Sequence, residues 1–144
     1  MKKIILAILI CSVLVNIALV IVYVKEKNST KKYEELFYIN AQSASEHFYS
    51  YNQNRQDEEF TYAIADVNIM RQAMFLLDDT KDDSYIKTHF NELYGQLVLY
   101  PEKLQPYSLD LIIICELLQE DYTNQTAADK IAELLNQTNP LTQK

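Results

Sequence analysis

From Ile4 to Val24 the chain runs 21 residues without a charge, a Pro or a Gly, and most of them are Ile, Leu or Val. As an α-helix rising about 1.5 Å per residue, the run would measure roughly 32 Å, enough to cross a hydrocarbon core of about 30 Å. A secretory signal has a shorter apolar stretch, of about 7–15 residues, and a small-residue cleavage site. Here the run ends in Ile21-Val22-Tyr23-Val24 and passes directly into Lys25-Glu26-Lys27. The bulky residues Ile8, Leu9 and Ile10 before Cys11 do not suit lipoprotein processing. The expectation is an uncleaved transmembrane anchor over residues 4–24, with a short flank at 1–3 and with Tyr23 at the membrane–water boundary.

Lys2 and Lys3 precede the run, and Lys25, Lys27, Lys31 and Lys32 follow it. Counting Lys and Arg leaves the orientation nearly balanced, and large domains translocate largely regardless of such charges. The Met-Lys-Lys start favours a cytoplasmic N-terminus and a C-terminal domain outside. The four lysines of the 25–32 segment are candidates for contact with lipid head groups, at about 1 kcal/mol each. Within the run, Asn16 is the polar residue near the middle, and Ala7, Cys11 and Ala18 place small side chains on one helical face. Small residues allow close approach of helix backbones, and an amide in lipid seeks a partner. Asn16 is expected to bond within its own helix or simply to be tolerated, and Ala7, Cys11, Asn16 and Ala18 are the candidates for the alternative, self-association through this face.

Beyond the anchor, about 120 residues are enough for one small core. A single Gly and three Pro leave too few residues for the tight turns of an all-β domain. From Tyr33 onward there are seven basic residues against 19 acidic ones, a net of −12. Phosphate backbones repel such a surface, so nucleic acid is not an expected partner. Two cysteines, one in the apolar run and one in Leu111-Ile112-Ile113-Ile114-Cys115, make no disulfide framework. The sequons at Asn28, Asn124 and Asn136 could carry glycans in a eukaryotic secretory context, but the Lys, Asn, Ile and Tyr bias favours a bacterial source, where they usually carry no meaning.

Apolar periodicity predicts five helices. Tyr33, Phe37, Ala41, Ala44, Phe48 and Tyr51 form a stripe over about 30–54, either continuing from the anchor or starting afresh at Thr30. Asp57 is a candidate N-cap for a second helix over 58–77, striped by Phe60, Ile64, Val67, Met70, Met74 and Leu77. A third spans 85–99, capped by Asp83 or Ser84, with Ile86, Phe90, Leu93, Leu97 and Tyr100 in register. Residues 101–107, with two prolines, read as a loop. A fourth helix, about 109–122, is apolar over much of its circumference and is expected at the centre of a bundle. Thr126 and Asp129 approximate a capping box that opens a fifth, and residues 139–144 are expected to fray. The fold class is therefore all-α: an N-terminal membrane helix followed by an antiparallel bundle of about four to five helices over 33–138.

Motifs of chemistry are sparse. No metal-binding His pair, no Cys-x-x-Cys and no glycine-rich phosphate loop occurs, so no catalytic, cofactor or metal residue is assigned and no cofactor is expected. His47 and His89 border apolar stripes and read as edge-of-core residues. The aspartates of 78–83 lack the Gly and terminal Glu of a calcium loop. A cleft holding either His within hydrogen-bond reach of a carboxylate would reopen the question of an enzyme. Eleven Tyr residues suit half-buried packing and recognition surfaces. The functional expectation is a membrane-anchored, non-enzymatic domain that engages another protein. The alternative is a sensor or carrier that holds a small ligand between helices.

Overall fold

The computed structural model describes residues 2–77 and 84–138; among residues 2–30, side chains are described only at 16, 17, 19, 20, 22–25, 27, 29 and 30. All regular structure among the described residues is helical: α1 (Lys2–Asn54), α2 (Asp57–Leu76), α3 (Ser84–Leu99), α4 (Pro101–Leu104), a 3-10 turn (Gln105–Tyr107), α5 (Ser108–Glu120) and α6 (Gln125–Thr138). Thr30 lies inside α1, so it caps no new helix. The chain divides into two units, Met1–Lys32 and Tyr33–Lys144. No helix among the described residues is long and apolar enough to cross a membrane, and most side chains of the 4–24 run lie outside them. The acidic 78–83 segment and the 139–144 tail lie outside the described residues as well.

The second unit is a helical bundle whose core is built largely from the stripes legible in the sequence, although Tyr33 and Ile64 of those stripes are only half-buried. Phe37, Ala41, Ala44, Phe48 and Tyr51 of α1 are buried, with Phe60, Val67, Met70 and Met74 of α2 and Ile86, Phe90, Leu93 and Leu97 of α3. Phe37 sits at a junction: its ring lies 6.4 Å from Phe90 of α3 and 6.1 Å from Tyr122, which follows α5. Phe60 of α2 packs edge-on against Phe48 and Tyr51 of α1, at 5.4 and 4.9 Å. Further round, α3 packs against both α2 and α6, and α6 against α5.

Several local expectations need correction. Residues 101–107 are not an open loop but a helical turn followed by a 3-10 turn, because Pro101 occupies a first-turn position where its missing N–H costs nothing. Leu104 of that turn is fully buried. Gln56, not Asp57, holds the cap position of α2, in extended geometry and without a side-chain cap bond. Asp57 becomes the first helical residue, and its carboxylate accepts from Gln105 Nε2 at 3.2 Å. The Thr126–Asp129 box does not form. Asn124 caps α6 instead, its side-chain oxygen accepting from Ala127 N at 3.1 Å. Tyr100 lies just past the end of α3, with non-helical backbone at φ −142°, and is exposed. Nor is α5 buried all round: Leu109 and Ile113 are 59% and 39% exposed, while Leu111, Ile114, Cys115 and Leu118 face inward. Its apolar composition exceeds what its one packed face requires.

Candidate functional site

A two-residue connection joins α1 to α2. Arg55 takes a positive φ of 55°, the left-handed geometry that closes a helix, and its N–H reaches Tyr51 O at 2.7 Å. Gln56 is extended, and α2 then doubles back along α1. This hairpin brings His47, eight residues before the turn, level with Glu59.

His47 Nδ1 lies 2.7 Å from Glu59 Oε2. An ionised carboxylate only accepts, so Nδ1–H is the donor. On the other side of the ring, Nε2 lies 3.9 Å from Asp66 Oδ2, an ion-pair distance too long for a direct hydrogen bond. Glu59 and Asp66 are seven residues apart and lie on one face of α2. The side chains of His47, Glu59 and Asp66 are 33%, 26% and 17% exposed, so the cluster sits at the rim of the core. The Tyr62 ring leans over the imidazole, with centroids 5.5 Å apart. Asp66 Oδ2 is buried and finds no hydrogen-bond partner among the described residues. Asp66 also reaches toward α5. Burial pushes the Cys115 thiol up to about 12, with the negative charges of Asp66 and Glu116 acting in the same direction.

This is an imidazole–carboxylate pair of the kind that serves general bases, but its free nitrogen faces a second carboxylate. The arrangement sets one imidazole of α1 between two carboxylates of α2. No group of three or more metal-ligating side chains converges among the described residues. His89 is local: its Nδ1–H donates to Tyr85 O at 2.9 Å, within α3.

Two further features border the bundle. A shallow groove of about 370 Å³ between α1 and α5 is lined by Ser45, Glu46, Tyr49, Ser50, Ile112 and Glu116. Arg71 lies over the Tyr94 ring at 4.7 Å and donates to Asn91 Oδ1 and Asn68 Oδ1 at 3.2 and 3.3 Å, which ties α2 to α3.

The residues singled out in the sequence lie elsewhere. Lys25, Lys27, Lys31 and Lys32 are exposed in the first unit, as is Asn16, while the side chains of Ala7, Cys11 and Ala18 are outside the described set. Sequence reasoning placed His47 at the edge of the core, where it is, but missed its two carboxylates. The signal was the seven-residue spacing of Glu59 and Asp66, which pairs with His47 only once the hairpin register is known. No protein-family model, no curated protein and no solved structure matches the chain.

Proposed function

We propose that the chain is a single-pass membrane protein whose acidic helical unit, on the outer side, engages another protein. The observation that carries the interaction reading is a second apolar stripe on α2. Tyr62, Ala65, Ile69 and Leu76 recur at helical spacing on the face turned away from Phe60, Val67, Met70 and Met74. Tyr62 and Leu76 are 52% and 57% exposed, and Ala65 is exposed beside them. Asp57, Glu58 and Glu59 open the same helix, and the residues from Tyr33 onward carry a net charge of −12. A partner surface with an apolar centre and a cationic rim complements that face.

The anchor reading is supported by the 4–24 run and by the exposure of Ile17, Leu19, Val20, Val22, Tyr23 and Val24. Six neighbouring large apolar side chains left open in this way are suited to lipid and costly in water. A pair of anchors meeting through Ala7, Cys11, Asn16 and Ala18 would place two helical units side by side.

A photo-crosslinking residue at Ala65, used in intact membranes, tests the partner. A reproducible adduct that disappears when Tyr62 and Leu76 are changed to Glu is the expected result, and no adduct at all counts against the reading. Alkaline extraction and protease accessibility on intact cells test the anchor and its orientation. The 370 Å³ groove favours a second reading, a sensor or carrier for a small organic cation, through Tyr49 and the carboxylates of Glu46 and Glu116. Absence of thermal stabilisation by any of a panel of alkylamines would remove it.

A further inference from the structure

We infer that His47 is a proton-operated clasp between α1 and α2, closed by the imidazolium and loosened by the neutral ring. Glu59 takes the Nδ1–H at 2.7 Å, and Nε2 points to Asp66 Oδ2 at 3.9 Å. The imidazolium has two N–H donors and so faces each carboxylate with one. When Nε2 gives its proton to water, a lone pair is left facing a carboxylate oxygen that has no other hydrogen-bond donor among the described residues. Two acceptors then oppose each other at a partly desolvated rim. The strain is relieved when α2 draws away near Asp66 and water enters to donate to both.

A proton fits this gap better than a metal ion. One ring nitrogen is committed to Glu59, and the other faces a single oxygen. Glu59, Tyr62 and Asp66 face the ring from α2. Its neighbour Glu46 on α1 is occupied by Gln42 Nε2 at 2.9 Å. From α5, Cys115 lies within electrostatic reach of Asp66 with Glu116 beside it, and the thiol is neutral across the physiological range. Among the described residues no Lys or Arg pairs with Glu59 or Asp66, so the imidazolium form of His47 is the one cation that would face them. Release of the clasp also frees Tyr62, which leans on the ring and belongs to the exposed stripe of α2. The clasp itself does not depend on the partner reading.

Amide hydrogen exchange of residues 59–66, measured on the full chain in detergent micelles and corrected for intrinsic rates, reads the opening. Between pH 5.5 and pH 8, opening is expected to rise about tenfold. His47→Gln should give a flat profile. Asp66→Asn should also be flat and should keep the protection seen at pH 5.5, because a neutral amide removes the negative charge that opposes the Nε2 lone pair. His89→Gln should leave the wild-type profile unchanged. A flat wild-type profile overturns the proposal, and so does a full tenfold change in either His47→Gln or Asp66→Asn.

Discussion

Ser108 at the start of α5 donates its hydroxyl hydrogen to the side-chain carbonyl of Asn52 in α1, at 3.0 Å. The serine is buried and the asparagine half-buried, so this bond fixes one end of α5 against α1 across 56 residues of sequence. Removing one partner leaves the other with only partial access to water. Ser108→Ala is therefore expected to cost about 1 kcal/mol, with a similar cost for Asn52→Ala. A double-mutant cycle by chemical denaturation checks the link: the double mutant should cost clearly less than the two single changes added together.

Phe37 is expected to be the most sensitive core position. It is fully buried and meets Tyr38, Phe90 and Tyr122, so its ring joins α1 to α3 and to the end of α5. Truncation to Ala leaves a cavity bounded by several elements that cannot all collapse into it, at about 3–5 kcal/mol. Domains of this size hold only about 5–15 kcal/mol. Phe37→Ala should therefore show a lowered denaturation midpoint or an unfolded far-UV spectrum at 37 °C. Ala substitution at exposed Ile39, on the opposite side of the same helix, should change stability by no more than about 0.5 kcal/mol.

These two positions show which parts of the bundle were legible. The Phe37 stripe repeats every three or four residues, and periodicity alone assigns it to the core. The Asn52–Ser108 bond is invisible in sequence because it needs the placement of α5, and α5 is apolar on more than its packed face. The sequence could not say whether Leu109 or Leu111 would point outward. The short helix at Pro101–Leu104 was missed because two prolines in seven residues read as a break, when Pro at a first-turn position starts a helix. The His47 cluster was missed for a different reason. Its register depends on a left-handed residue at the end of α1, and that residue is Arg55, where the usual marker would be Gly or Asn.

Arg55 therefore supports a prediction of its own. A non-glycine residue with φ of 55° crowds its Cβ against the backbone, at a cost of about 1 kcal/mol, while the guanidinium lies 5.4 Å from the Tyr51 ring and recovers part of it. Gly removes the crowding but loses the ring contact and gains freedom in the unfolded chain. Arg55→Gly is expected to be neutral to about 1 kcal/mol stabilising. Arg55→Val should cost about 1–2 kcal/mol, because a branched Cβ is least compatible with this geometry. Thermal melts of the three proteins should rank Gly at or above Arg, and Arg above Val. Val melting with or above Arg would mean that the turn is not held left-handed.

The Cys115 thiol makes the stability of the unit depend on alkaline pH. Burial, and then the charges of Asp66 and Glu116, raise it from 9.0 to about 12 in the folded protein. Below about pH 9 the thiol keeps its proton in both the folded and the unfolded chain, and the advantage of the folded state is complete. Between about 9 and 12 the unfolded chain releases the proton and the folded one retains it, so the folded state binds more protons and stability falls as pH rises. In a Cys11→Ala background, where Cys115 is the remaining thiol, a thiolate-directed alkylating reagent at pH 8 should label the native protein far more slowly than the denatured one. Cys115→Ala should flatten the decline in melting temperature above pH 9 while lowering stability at pH 7 through lost packing. Rapid native labelling at pH 8, or an unchanged alkaline decline in the Ala variant, would show that this thiol is not held protonated beside Asp66.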